Sequence, residues 1–282
     1  MKRQEIEKIE LDLLLEGIRR RYGYDFQNYS RVSLKRRLKY CLVHEKLNNI
    51  SELIDKCLYD TEFFNSILTS MLVSVTEIFR DPLFFLEFRK KVVPVLKTHP
   101  FIKIWHAGCA TGEEVYSMAI LLKENNLLEK STIYATDINV NALHIAKEGI
   151  YALEDMEKYA QNYTQAGGVC SLSDYYTSSI GYVKMHNYLK KKIVFSNHNL
   201  STDGVFNEMN VILCRNVFIY FNRHLQDRAV FLFYDSLDNH GFLCLGKSET
   251  LHFLEAKKKF TFLSEKQRIY RRVALSDKHN EF

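Results

Sequence analysis

The chain has 282 residues, 46% of them hydrophobic and 26% charged, with a formal net charge of +5. That is an ordinary globular composition, long enough for one large or two modest domains around a sizeable core. No apolar run reaches transmembrane length, and the charged start "MKRQEIEKIELDLLLEGIRRRYG" lacks the apolar centre and cleavage site of a signal peptide. The expectation is a cytoplasmic protein with no direct membrane insertion.

Six cysteines stand at 41, 57, 109, 170, 214 and 244, with no CxxC pair. They read as buried thiols in a reducing compartment, which excludes a disulfide framework and a zinc site. The ten histidines show no metal spacing, so no metal is expected. "GKSET" at 246–250 lacks the G-x-S-x-G of a nucleophile elbow.

Residues 1–95 read as helical. In "SLKRRLKYCLVHEKL", Leu34, Leu38, Cys41 and Leu42 share one face. Arg31, Lys35 and Lys39 recur every four residues, and Arg36 and Arg37 widen that basic face. Five basic residues in nine, with no acid among them, exceed what solubility needs and point to an acidic partner. Few aromatics are interleaved, which disfavours single-stranded nucleic acid.

From 101 onward the texture alternates. "FIKIWHAG" reads as a strand, "EEVYSMAILLKENN" as a helix, "STIYATDI" as a strand and "NALHIAKEGIY" as a helix. "KKIVFSNHNL" and "NVILCRNVFIYF" read as strands, "HLQDRAVFLFYDSL" as a helix, and "GFLCLG" as a strand. "KFTFLS" and "RIYRRV" read as a closing hairpin. Such alternation implies an α/β fold of right-handed βαβ units on a mostly parallel sheet, the hairpin adding an antiparallel strand. Residues 151–192 interrupt the pattern and read as a small insertion with short strands on one edge of that sheet.

In open α/β sheets, ligands sit at the carboxyl ends of strands. The turn after "FIKIW" carries Gly108 and Gly112, spaced G-x-x-x-G, so the dinucleotide fingerprint is absent. "IYATDIN" places Asp137 where an acid typically holds ribose hydroxyls. Glu113 and Glu114 would repel a pyrophosphate. They suit a phosphate-free, cationic cofactor such as S-adenosylmethionine. Thr111 and Glu114 also stand at capping-box spacing, so a cap and a ligand role both remain open.

In "LCRNVFIYFN", Cys214, Arg215 and Asn216 interrupt an apolar run at a strand end. They are either structural partners of one another's neighbours or part of a site. "NHNL" at 197–200 either reads an adenine edge or makes turns. In "SVTEIFRD", Thr76 either caps a helix or faces the cleft, and Arg80 either pairs with Asp81 or another surface acid or faces the cleft.

Taken together, "TEIFRD", "ATGEEVYSMA", "ATDIN", "HNL" and "CRNVFIYF" resemble the chemotaxis-receptor methyltransferases, the CheR family, over nearly the whole chain. The resemblance implies an N-terminal all-helical domain (1–95) and a Rossmann-like class I methyltransferase domain (96–282) with a C-terminal antiparallel hairpin and a small β-subdomain insertion (151–192). It implies S-adenosylmethionine as cofactor and S-adenosylhomocysteine as product. Implied cofactor contacts are Ser74, Thr76, Arg80, Glu114, Asp137, Asn199, Leu200, Cys214 and Arg215, with Glu113 turned to solvent or to its helix dipole. Tyr220 and Arg80 are the implied catalytic pair.

The implied activity is methyl transfer to glutamate carboxylates of a chemoreceptor, for sensory adaptation. Arg31, Lys35, Arg36 and Lys39 would dock its cytoplasmic helical domain, by a monomer that binds no nucleic acid. Other readings are methylation of another protein in a non-chemotactic pathway, and a non-catalytic S-adenosylmethionine-binding signalling module. Ser74 departs from the family's usual Asn and Val115 from its usual Pro.

Overall fold

The computed structural model describes residues 3–72, 76–206, 208–251 and 254–273. The chain forms two compact units: Met1–Val73 with Ile219–Arg228, and Ser74–Phe218 with Ala229–Phe282. Residues 74–95, helical in pattern, are counted with the second unit rather than the first. Phe84, Phe85, Phe88 and Val92 there belong to the same core as the sheet residues Ile104 and Ile133. A 3.6-residue period tells that a helix forms, not which core receives it.

The first unit contains α1 (Arg3–Tyr22), α2 (Arg31–His44), α3 (Ile50–Tyr59) and α4 (Thr61–Met71). Short polar side chains start three of them: Ser30, Asn49 and Asp60 accept the amides of Ser33, Glu52 and Phe63. Leu14, Ile18, Leu34, Leu38, Leu53, Phe64 and Ile67 form the core. The segment 219–228 is tied to it by backbone. Ser30 donates its amide to the Tyr220 carbonyl at 2.7 Å, and Asn222 donates to the Asn28 carbonyl at 2.9 Å.

The second unit begins with α5 (Pro82–Lys91) and α6 (Val93–Lys97), then β1 (Ile102–Ala107), α7 (Glu113–Glu124), β2 (Ser131–Asp137) and α8 (Val140–Glu148). The insertion follows as β3 (Ile150–Ala152), α9 (Met156–Gln165), β4 (Tyr176–Ser179) and β5 (Tyr182–Met185). After α10 (Asn187–Lys190) come β6 (Ile193–Asn197), β7 (Met209–Cys214), α11 (Arg223–Ser236, of which the part up to Arg228 is counted in the first unit), β8 (Leu237–Leu245), β9 (Phe260–Ser264) and β10 (Ile269–Arg272).

The main sheet has the order β6-β2-β1-β7-β8-β10-β9. β6, β2, β1, β7 and β8 are parallel, and β10 is antiparallel to both β8 and β9. The mixed α/β fold and the closing hairpin are as the sequence implies. The strand order reverses between β1 and β7, so their carboxyl ends open a crevice at the switch point.

The insertion differs from expectation. Its strands form a separate three-stranded sheet, β3-β5-β4, and do not extend the edge of the main one. One buried side chain fastens it. Glu124, at the end of α7, is 2% exposed and pairs with Arg89 of α5. It also accepts from the Tyr163 hydroxyl, the Tyr175 hydroxyl at 3.1 Å and the Val169 amide at 3.2 Å.

Five cysteines are buried, as the apolar runs imply, but Cys170 in the insertion is exposed. Among the described residues no helix is long and apolar enough to cross a membrane, and no group of His, Cys, Asp and Glu could hold a metal.

Candidate active site

The turn after β1 needs its glycines. Gly108 and Gly112 have φ of +82° and +92°. A Cβ on Gly108 would meet Val217 at 2.6 Å, and one on Gly112 would meet Ala146 at 2.7 Å. The amides of Gly108 and Cys109 both donate to the Thr136 carbonyl, at 2.8 and 2.9 Å. Asp137, next in β2, completes the tie: its Oδ2 accepts the Ala110 amide and its Oδ1 the Asn139 amide, each at 2.8 Å. Burial raises the Asp137 carboxyl above its ordinary range, opposed by the amides of Asn139, Ala110 and Ile138.

The structure removes the capping role left open for Glu114 and overturns the exposure expected of Glu113. Glu114 caps nothing, because α7 starts at Gly112 with no side-chain cap. Instead Glu114 Oε2 accepts from Arg215 Nη1 at 2.5 Å, and Oε1 lies 3.2 Å from His106 Nδ1. Burial disfavours the charge on Glu114, but Arg215 and His106 outweigh it and hold its carboxyl below the usual range. Glu113, expected at the surface, is buried with 7% exposure. It accepts from the Thr111 hydroxyl at 2.7 Å. Desolvation raises its pKa to about 7, against the Thr111 hydroxyl bond. Tyr151 of β3, in the insertion, donates to the Thr111 carbonyl of the same turn at 2.8 Å.

Arg215 joins the segment 76–81 to the sheet. Its Nη2 donates to Asp81 Oδ2 at 2.8 Å and reaches the Arg80 carbonyl at 3.5 Å. Its guanidinium lies over the Phe84 ring at 4.0 Å. So Asp81 pairs with Arg215, not with its neighbour Arg80. Phe79, Asp81, Ala110 and Asn216 all have φ between 49° and 61°. Four non-glycine residues in the left-handed region around one crevice mark a constrained site. Thr76 and Arg80 are half-buried, and Thr76 caps no helix, since α5 begins only at Pro82 with Asp81 as its N-cap. Ser74 lies outside the described residues.

After β6, Asn197 donates its amide group to the carbonyls of Asp137 and Ile138, both at 3.1 Å. Asn199 accepts the Ser201 amide at 2.9 Å on its own side-chain oxygen, so it organises the turn. Leu200 is buried beside it, and Cys214 is fully buried at the end of β7, its thiol raised far up by desolvation.

Arg80, Asp81, His106, Glu114 and Arg215 thus form one connected cluster, and Ala110, Asp137 and Asn197 a second at the end of β2. Sequence reasoning missed His106 and Asp81. A histidine at the end of the central apolar strand was the available signal for the first.

Tyr220 belongs to the first unit, where the Arg37 guanidinium lies over its ring at 5.3 Å. Arg37, read only as widening the basic face, also donates to the Ser70 carbonyl at 3.3 Å. It has no carboxylate partner among the described residues, and burial lowers its pKa. With Arg36, Tyr40, His44, Glu45 and Ser70 it lines a groove of about 610 Å³ between α2 and α4. Arg31 pairs with Asp12 at 2.7 Å, while Arg36 and Lys39 are exposed and Lys35 is half-buried.

The second-unit cluster fits a cationic ligand. Two carboxylates, Asp81 and Glu114, surround one guanidinium and leave negative charge in excess. The glycines let the backbone approach a ligand, and Asp137 stands at the end of the second strand. These features suit an α/β fold that binds a cationic nucleoside cofactor without a phosphate cradle.

The family model "CheR methyltransferase, SAM binding domain" matches residues 74–269, and "CheR methyltransferase, all-alpha domain" matches residues 9–72. The chain belongs to the CheR methyltransferase family, and its cofactor is S-adenosylmethionine.

It is similar to the putative methyltransferase Cher3 of Pseudomonas putida, 47% identical over 94% of this chain and 97% of that one. It is 28% identical to the chemotaxis protein methyltransferase of Listeria innocua, over 83% of this chain and 87% of that one. A 104.1 kDa protein of Rhodobacter capsulatus is 29% identical over 87% of this chain, which spans only 26% of that protein's length.

Proposed function

We propose that this protein transfers a methyl group to glutamate side-chain carboxylates in the cytoplasmic helical domain of a chemoreceptor, giving glutamate methyl esters and S-adenosylhomocysteine. It would act in the cytoplasm as a monomer. S-adenosylmethionine, when bound, supplies a methyl group activated by the sulfonium. Asp137 would hold the ribose hydroxyls, and Glu114 the ammonium of the methionine tail. Thr76, Arg80, Asn199, Leu200 and the end of β7 at Cys214 and Arg215 would line the rest, as would Ser74.

The observation that carries the substrate class is Arg37 over Tyr220. A guanidinium without a carboxylate partner among the described residues, half-buried over a tyrosine face, is suited to an incoming carboxylate. A glutamate has an ordinary pKa of about 4.3, so it arrives ionised and needs no general base. Alignment then carries the reaction, and good orientation is worth about 7–11 kcal/mol. Tyr220 and Arg80 are the positioning residues. Arg31, Lys35, Arg36 and Lys39 would dock the acidic receptor surface.

A second reading is the same chemistry on a protein of another signalling pathway. It is favoured by the relatives' names: chemotaxis appears for the relative at 28% identity, not for the one at 47%. Incubation with tritiated S-adenosylmethionine and a purified chemoreceptor cytoplasmic domain tests both. Base-labile label on the receptor is expected. Label on other proteins alone would favour the second reading, and label on nucleic acid, or none, would sink both.

A further inference from the structure

His106 occupies an unusual place. It lies on β1, the central strand, paired with Ala135 of β2 on one side and Leu213 of β7 on the other. It is 1% exposed. Its neighbours in the strand are apolar, and an aliphatic side chain would serve the core better. One ring nitrogen, Nδ1, lies 3.2 Å from Glu114 Oε1. The other, Nε2, is buried and has no hydrogen-bond partner among the described residues. Buried polar atoms without partners are rare and call for an explanation.

The explanation lies in how Glu114 is held. No group of its own helix restrains it, and α7 has no side-chain cap. Two donors restrain it from the strands on either side of the switch point: Arg215, just past the end of β7, and His106 on β1. An ionised carboxylate can only accept, so Nδ1 carries a proton and donates to Glu114. Arg215 alone would fix one oxygen and leave the carboxylate free to rotate about its last bond. The second donor removes that freedom.

We propose that His106 is a positioning residue, which orients Glu114 to receive the ammonium of the cofactor's methionine tail. This rests on the reading that Glu114 faces that ammonium. The chemistry predicts a selective effect. Loss of the Nδ1 donor should weaken ligands that carry the tail and spare those that lack it.

The test compares S-adenosylhomocysteine with 5′-methylthioadenosine, which keeps the adenosine and sulfur but has no amino-acid tail. Calorimetric affinities are measured on the full chain. His106→Leu should weaken S-adenosylhomocysteine by about 2- to 10-fold, the worth of one hydrogen bond, and leave 5′-methylthioadenosine unchanged. His106→Asn, whose amide can take the place of Nδ1–H, should restore the tail preference. If the Leu variant does not fold, His106→Gln replaces it, since its amide extends toward the Nε2 position instead. Equal weakening of both ligands, or of neither, would overturn the proposal. Glu114→Gln separates the two levels. If it leaves the preference for S-adenosylhomocysteine intact, the Glu114 reading fails. If it abolishes the preference and the His106 variants do not, only the positioning role fails.

Discussion

The Ser117 hydroxyl accepts the Phe79 amide at 2.8 Å, across 38 positions of sequence. It donates in turn to the Glu113 carbonyl at 2.7 Å. One buried hydroxyl therefore holds the "TEIFRD" segment against α7 and keeps Phe79 in the left-handed region, with its ring against Phe85 and Tyr163. Ser117→Ala leaves the Phe79 amide buried without its acceptor. The expected cost is about 1–3 kcal/mol in urea denaturation. A change of only a few tenths would show that the hydroxyl does not hold the segment.

Arg215→Met should be among the most damaging substitutions, because it strands Glu114 and Asp81 together. Removing one partner of a buried pair costs about 3–5 kcal/mol. Asp81 keeps 35% of its side chain exposed and Glu114 13%, which favours the low end. Adding Glu114→Gln to the Met variant should recover part of the loss. Strict additivity in that double-mutant cycle would argue against the coupling.

Glu113 predicts an inverted pH dependence. Its folded pKa of about 7 stands above the ordinary 4.5, so between those values the folded chain holds a proton that the unfolded chain has released. Its contribution is present below about 4.5 and is lost as pH rises toward 7, by up to about 3 kcal/mol. Glu113→Gln should flatten stability across this window. A wild-type curve that already rises steadily there, with no change in the Gln variant, would refute it. Glu114 works the other way: it is held below its ordinary range, so its contribution is lost at acid pH.

Tyr220→Phe keeps the ring under Arg37 and removes the hydroxyl. Turnover should fall by at least about 10-fold, a typical loss for a positioned polar group, while S-adenosylhomocysteine affinity stays unchanged. Unchanged turnover would remove the proposed role.

Reversing the charges of Arg31, Lys35 and Lys39 should slow receptor methylation, with the deficit larger at low ionic strength and shrinking with added salt. Lys35 and Lys39 should account for more of the loss, since Arg31 is already paired with Asp12. A deficit independent of salt would point to a folding defect rather than docking.

The fold was largely legible because its strands are short apolar runs ending in small or polar residues, as at "FIKIWHAG" and "STIYATD". β8 was caught only from Gly241. Its first residues "LDNH" are mostly polar, and a register shift separates Met209 from Val211 opposite them. Positions on the turn were legible for the same reason, since glycine and an acid at a strand end have few other uses.

Partners were not legible. Arg215 meets Asp81 from 134 positions away, and no local period records that. Glu113 and Glu114 are neighbours of one type, and only their tertiary surroundings decide which turns to Arg215 and which to Thr111.

The carboxylate of Glu124 gives the insertion a dependence that its sequence boundaries conceal. The tyrosines and loop amide it receives lie inside residues 151–192, but the acid and its arginine lie outside, on α7 and α5. A chimera that exchanged only the insertion between relatives would import hydroxyls shaped for a different anchor, or leave a buried anion unmatched. The transplantable unit is therefore discontinuous: it includes Arg89 and Glu124, and it ends on the helix that begins at the turn after β1.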